Sequence, residues 1–178
     1  MSRQNESADA INARRAQWSR ELPDVDTAGM AVLGRARWIT LAVRPPIEAV
    51  FAAHGLDTGE FDVLATLLRS GSPYRLRPTE LFRSLMVSSG GMTDRLARLE
   101  KAGHIVRKAA EGDGRSLLVE LTVSGRVLAE RAFRADMEIE KRLISALSLH
   151  DQNELARLLT SLVCALNAVT TDVVRDEP

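Results

Sequence analysis

Apolar residues recur along this chain at two spacings. Over most of its length they return every three to four positions, the mark of helices with one buried stripe. Between 105 and 121 they form two short runs around a polar, glycine-rich loop. Residues 6 to 20 carry mixed charge around Ala10, Ile11, Ala13, Ala16 and Trp18, which reads as a short helix ending before Leu22-Pro23. Asp26 or Thr27 then caps a helix whose apolar positions are Met30, Leu33, Trp38 and Leu41. Pro45-Pro46 is expected to interrupt or kink it before the pattern resumes at Ile47, Val50 and Phe51 and stops near His54-Gly55. Thr58 caps the next helix, with Phe61, Val63, Leu64, Leu67 and Leu68 as its stripe.

After Ser70-Gly71-Ser72-Pro73 the elements shorten. Residues 74 to 77 read as extended, and Thr79 caps a short helix over 80 to 85. Ser88 caps a longer one over 89 to 102, in which Met92, Leu96 and Leu99 form the inner face and Gly103 ends the helix. Met86 joins Met92 in the expected core of this unit. Ile105 to Lys108 and Ser116 to Leu121 read as two strands joined through Gly112 and Gly114. Thr122 or Ser124 then caps a long helix to about Ala146, with Leu128, Ala132, Ala135, Ile139 and Leu143 inside. Ser148 or His150 opens the last helix, where Leu155, Leu158, Leu159, Leu162, Leu166 and Val169 form a stripe wide enough for a partner as well as a core. The pattern thus predicts a mainly α fold with a small β-wing (α+β).

Composition adds a class and a charge distribution. The 178 residues suffice for one domain with helical arms, and 45% hydrophobic with 27% charged residues is a globular balance. The net charge is zero, but residues 75 to 115 hold nine Lys or Arg against five acids, leaving 15 against 19 elsewhere. Positive charge gathers on the helix–turn–helix segment, as phosphate binding requires. A single cysteine, Cys164, excludes an internal disulfide and fits a reducing compartment. Its place in an apolar helical pattern reads as core or interface packing. There is no signal-peptide pattern and no apolar run long enough to cross a bilayer, so a soluble cytoplasmic protein is expected.

A helix fits the DNA major groove, where residues of its N-terminal half reach base edges. Ser88 and Ser89 at the start of the 89–102 helix suit a phosphate. Gly90 and Gly91 cost helix propensity of about 1 kcal/mol each and suggest a steric demand. Thr93 faces outward, Arg95 and Arg98 reach bases or phosphate, and Asp94 can accept from a cytosine amine or orient an arginine. The competing reading is an ordinary solvated helix face. The short helix, turn, caps and two-stranded wing around it favour DNA.

The motifs Pro78-Thr79-Glu80-Leu81, Val87-Ser88-Ser89-Gly90-Gly91-Met92-Thr93-Asp94-Arg95-Leu96-Ala97-Arg98-Leu99-Glu100-Lys101-Ala102-Gly103, Gly112-Asp113-Gly114-Arg115 and Val119-Glu120-Leu121-Thr122-Val123-Ser124-Gly125 resemble the MarR family of bacterial transcriptional regulators. The resemblance covers roughly residues 30 to 170, with its specific core at 78 to 125. It implies a winged helix-turn-helix homodimer on a pseudo-palindromic duplex. Residues 1–25 would be an N-terminal extension, 26–57 and 123–178 dimerisation helices, and 58–122 the DNA-binding region. It also implies that Asp113 orients Arg115 into the minor groove, where the negative potential of a narrow groove attracts arginine. The usual basic residue between them is Gly114 here, which implies a weaker grip by the wing.

A finer resemblance, in Leu56 to Leu64, Leu76 to Leu81 and the Trp18-bearing extension, is to the urate-responsive branch of that family. It implies a ligand site of Trp18, Asp62, Arg95 and Arg107 for urate, another purine or a phenolic anion. Guanidinium forks would hold the anion while the indole stacks on it. Against this, Asp62 reads equally as a surface or ion-paired carboxylate and Trp18 as a packing residue. The expected function is a ligand-responsive repressor. The alternative is a winged-helix protein-interaction module. An enzyme is not expected: there is no glycine-rich phosphate loop or defensible catalytic constellation, and His54, His104 and His150 have no metal spacing, so no cofactor is implied.

Overall fold

A computed structural model describes residues 3–85, 91–110 and 113–175, with side chains at 10–85, 91–109 and 117–168. The chain divides into two compact units after Asp136.

In the first unit, α1 (Arg3–Glu21) packs on α2 (Ala28–Ala53). Ile11 is buried, and Gly34 leaves room for it: a Cβ there would lie 3.1 Å from its Cδ1. Arg15 Nε donates to the Thr27 carbonyl at 3.1 Å, and Arg35 donates to Asn12 Oδ1 at 3.0 Å. At the start of α2, Asp26 Oδ1 accepts from the Ala28 N–H at 2.8 Å, so Asp26 rather than Thr27 supplies the side-chain cap.

α2 differs from expectation in two respects: it is not interrupted, and its apolar stripe is open. The helix runs through Pro45 and Pro46 without a break. Proline's fixed φ is helical, so the cost is confined to two missing N–H donors and crowding of the preceding turn. That turn is exposed (Leu41 is 60% accessible), so water can satisfy the carbonyls. The expected inner stripe is also open, because Leu33 and Trp38 are about half exposed within the chain. The contiguous core takes only Phe51 from α2, with Ile47 and Val50 against it.

That core forms around α3 (Thr58–Arg69), whose Val63, Leu64 and Leu67 are fully buried. Asp57, not Thr58, is its N-cap, in a reciprocal capping box with Glu60. Short α4 (Pro78–Ser84) starts with proline at its first turn and buries Leu81. Arg77, not Thr79, is the N-cap, and its N–H is satisfied by Glu80 Oε2 at 2.8 Å. Next comes α5 (Met92–Lys101), with Met92, Leu96 and Leu99 buried as the 3.6-residue period requires.

The sheet has three antiparallel strands in the order β1 (Arg75–Leu76), β3 (Asp113–Leu121), β2 (Ile105–Ala110). Ile105 pairs with Leu121 and Arg107 with Val119, and the register shifts at Ala109/Ala110. Ile105 and Val119 are fully buried beneath it. The hairpin strands are longer than expected. The extended 74–77 segment supplies the third strand, pairing Arg75 with Glu120.

Thr122 links wing to helix. Its N–H donates to the His104 carbonyl at 3.1 Å and its hydroxyl to the Gly103 carbonyl at 2.7 Å. Thr122 Oγ1 also accepts from Gly125 N–H at 3.0 Å, capping α6 (Val123–Leu143). Ala129 and Ala132 are fully buried, but Leu143, expected inside, is 41% exposed.

In the second unit, Ser148 Oγ accepts from the Asp151 N–H at 3.1 Å and opens α7 (Leu149–Arg175). Leu155, Leu158, Leu159, Val163 and Leu166 are all exposed in the single chain, as is Cys164. Cys164 is therefore not a core residue of its own chain. Among the described residues no helix is long and apolar enough to cross a membrane, and no group of His, Cys, Asp or Glu could hold a metal ion.

Candidate nucleic-acid interface

The helix expected to enter DNA begins three residues later than the sequence suggests. Gly91 is its N-cap, at φ 73°, a left-handed conformation that side chains disfavour. The glycine thus serves the turn into α5 rather than its interior. Ser88, Ser89 and Gly90 lie outside the described residues, as does Met86. Asp113 and Arg115 belong to β3, but their side chains lie outside the described ones.

On the outward face of α5, Thr93, Asp94, Ala97, Arg98 and Lys101 are exposed, while Arg95 is half-buried. Arg95 lies across the first turn of α3. A Cβ added at Gly59 would stand 2.2 Å from its Nε and 2.5 Å from its Cζ, so the guanidinium occupies the space that the missing side chain leaves and would have to shift for any other residue. Asp62, only 8% exposed, sits one turn further along α3 on the same side.

Arg98 is bound more tightly than a solvated arginine. Its Nε donates to Glu60 Oε1 at 2.6 Å and its NH2 to Asp57 Oδ2 at 2.7 Å. Hydrogen bonding to Glu60's carboxylate, then the charges of Glu60 and Asp57, raises the Arg98 guanidinium above its ordinary pKa. Sequence reasoning missed this pairing because Asp57 and Glu60 fell beside an assumed Thr58 cap. The Asp-x-x-Glu spacing of a capping box signals the cap itself, but nothing local signals the contact with Arg98.

Arg107 is engaged elsewhere. Its Nε donates to Glu100 Oε2 at 2.8 Å and its backbone N–H to Glu100 Oε1 at 3.2 Å, tying β2 to the end of α5. The hydrogen bond from Arg107 holds the Glu100 carboxyl below the usual range. Trp18, 49% exposed, lines an apolar cavity of about 340 Å³ with Leu22, Val25, Asp26, Thr27, Gly29 and Met30. Asp62, Arg95 and Arg107 do not line that cavity. Of the four residues expected to hold a ligand, the structure brings Arg95 to the α3 turn preceding Asp62, and Trp18 and Arg107 have other surroundings.

Comparison with known proteins gives this arrangement a family. The MarR family model matches residues 54–116, from the end of α2 to the wing. The chain is 37% identical over 143 residues to the HTH-type transcriptional regulator PecS of Dickeya dadantii (strain 3937), covering 80% of this chain and 86% of that protein. Among solved structures, the Mycobacterium tuberculosis MarR family protein Rv2887 in complex with salicylic acid superposes with a TM-score of 0.60 at 33% identity, covering 79% of this chain and 99% of that one. A MarR-like transcription regulator from Bacillus cereus ATCC 10987 superposes with a TM-score of 0.70 at 17% identity, over 79% of this chain and 99% of that one, a likeness of fold. PecS is a transcriptional regulator and Rv2887 a transcriptional repressor by name. The chain, with its α3–α4–α5 core and β2–β3 wing, belongs to the MarR family of winged-helix, DNA-binding transcriptional regulators.

Proposed function

We propose that the protein is a cytoplasmic homodimeric repressor, released from a pseudo-palindromic operator by a small aromatic anion such as urate, another purine or a phenolic acid. The observation that carries the ligand part is the seat of Arg95. One arginine of the DNA-reading helix lies over Gly59, a turn from the nearly buried Asp62. An anion drawing on that guanidinium would compete with its use at DNA, which gives a direct switch. The salicylic acid complex of the mycobacterial relative supports an aromatic carboxylate, and the resemblance in residues 56 to 64 supports urate. Trp18 and Arg107 complete the proposed site only if they shift in the dimer or on binding.

Residues 58–122 would form the reading head, with Ser88, Ser89, Gly90, Thr93, Asp94 and Arg95 at the groove and Asp113 and Arg115 on the wing. Segments 26–57 and 123–178 would pair two chains, with 1–25 as an extension. Pairing is supported by exposed apolar side chains at helical spacing, Leu155, Leu159, Val163 and Leu166 on α7, each between 41% and 55% accessible. Cys164 would pack in that interface. No observation favours a protein-interaction module over this reading.

Adding urate or salicylate should raise the melting temperature and release DNA. Asp62→Ala should abolish both effects and keep operator binding. Thermal shift and fluorescence anisotropy on the same samples check this, and an unchanged ligand response in the variant would refute the site.

A further inference from the structure

We propose that Arg98 is a positioning residue: with Asp57 and Glu60 it clamps the recognition helix α5 onto the first turn of α3, and it does not contact DNA. This rests on the DNA-binding reading above and assigns Arg98 a different part in it.

The carboxylates divide their oxygens between two tasks. Asp57 Oδ1 accepts from the Glu60 N–H at 2.7 Å, and its Oδ2 accepts from Arg98 at 2.7 Å. Glu60 Oε2 accepts from the Asp57 N–H at 2.9 Å, and its Oε1 accepts from Arg98 at 2.6 Å. The groups that start α3 therefore also hold α5, across 38 residues of sequence. Two acids three residues apart repel, and one guanidinium offsets both. Its planar fork supplies two donors in fixed geometry, which an ammonium cannot do.

Exposure decides which arm matters. The Asp57 side chain is 53% accessible, so that arm is a weak surface pair. The Glu60 side chain is only 12% accessible. Swinging Arg98 to a phosphate would take the guanidinium from the poorly solvated Glu60 Oε1 and leave the carboxylate only the Asp57 N–H, with the charge of Asp57 beside it and DNA nearby. That loss opposes the gain of one phosphate contact, so Arg98 stays on α3.

Substitutions separate clamp from contact. Glu60→Gln keeps the capping function, because a glutamine oxygen still accepts from the Asp57 N–H, but it removes the charge that holds Arg98. Arg98→Lys keeps a charge suited to phosphate but loses the fork. Operator affinity would be measured across salt concentrations for wild type, Glu60→Gln, Arg98→Lys and Arg98→Ala. The clamp predicts weaker binding by about ten-fold in all three variants, a size usual for residues sharing one ion-pair network, with an unchanged salt slope. A phosphate contact instead predicts that Arg98→Ala lowers the slope by about one while Glu60→Gln binds equally or more tightly, and that result overturns the proposal. Amide hydrogen exchange over Met92–Lys101 needs no DNA. Faster exchange in Glu60→Gln and Arg98→Ala supports the clamp, and unchanged exchange overturns it. Absence of operator binding by wild type would instead count against the functional reading.

Discussion

Gly125→Ala is expected to destabilise the protein by about 3 kcal/mol or more, at the upper end of overpacking effects. Backbone preference alone argues the other way, since alanine is better than glycine inside a helix by about 1 kcal/mol. Space decides the sign. A Cβ at Gly125 would stand 1.8 Å from the His104 carbonyl oxygen and 2.7 Å from its carbon. Both are main-chain atoms that cannot rotate away. The same oxygen accepts the Thr122 N–H at 3.1 Å, and Ser124 Oγ donates to the neighbouring Gly103 carbonyl at 2.9 Å. Relief therefore requires the turn after α5 to part from the start of α6, breaking bonds that fix where α5 ends. Chemical denaturation would show the loss as a lower midpoint. A melting curve equal to wild type would mean that this junction yields easily.

The second large effect is expected from Leu99→Ala. Leu99 is 2% exposed on α5 and belongs to the cluster with Leu64, Leu67, Ile105 and Val119. Truncating a buried leucine costs about 2–5 kcal/mol, the spread reflecting how far the cavity collapses. Here α3, α5 and β2 frame the site, so collapse would shift α5, and the cost should lie in the upper half of that range. Total stability of a domain is about 5–15 kcal/mol, so such a variant could lose much of it. Ala97 is exposed on the opposite face of the same helix, and Ala97→Ser there should change stability by less than about 0.5 kcal/mol. Denaturant titrations of the pair make the comparison. Equal midpoints would contradict the assignment of the inner face.

Those inner and outer faces were legible in the sequence because a helix repeats every 3.6 residues and α5 is amphipathic throughout. Gly103 as a stop and the hairpin with its polar loop were legible for similar local reasons. What was not legible depends on partners. The apolar pattern of α2 announces a stripe at Leu33, Trp38 and Leu41 but not what covers it, and within the chain these residues are exposed. The paired prolines signalled a break because their local cost is real, yet the helix continues past them on a solvent-facing turn. Gly91 was read inside α5, whereas its left-handed φ makes it the turn before the helix. In the candidate site, the outward position of Arg98 was legible but its grip on Asp57 and Glu60 was not. That contact joins residues far apart in sequence, and only the fold brings them together. Arg95 over Gly59 is hidden for the same reason, since a missing side chain leaves no pattern of its own.

In the proposed reading, α5 and the wing carry this family's DNA-reading function in this chain. The most direct test is anisotropy with a labelled duplex from the region upstream of the protein's own gene, titrated at several salt concentrations against an unrelated duplex. A saturable, sequence-specific complex is expected, its log affinity falling linearly with log salt with a slope of about −0.9 for each phosphate neutralised. Folded wild-type protein that binds both duplexes equally, or neither at low salt, would contradict it.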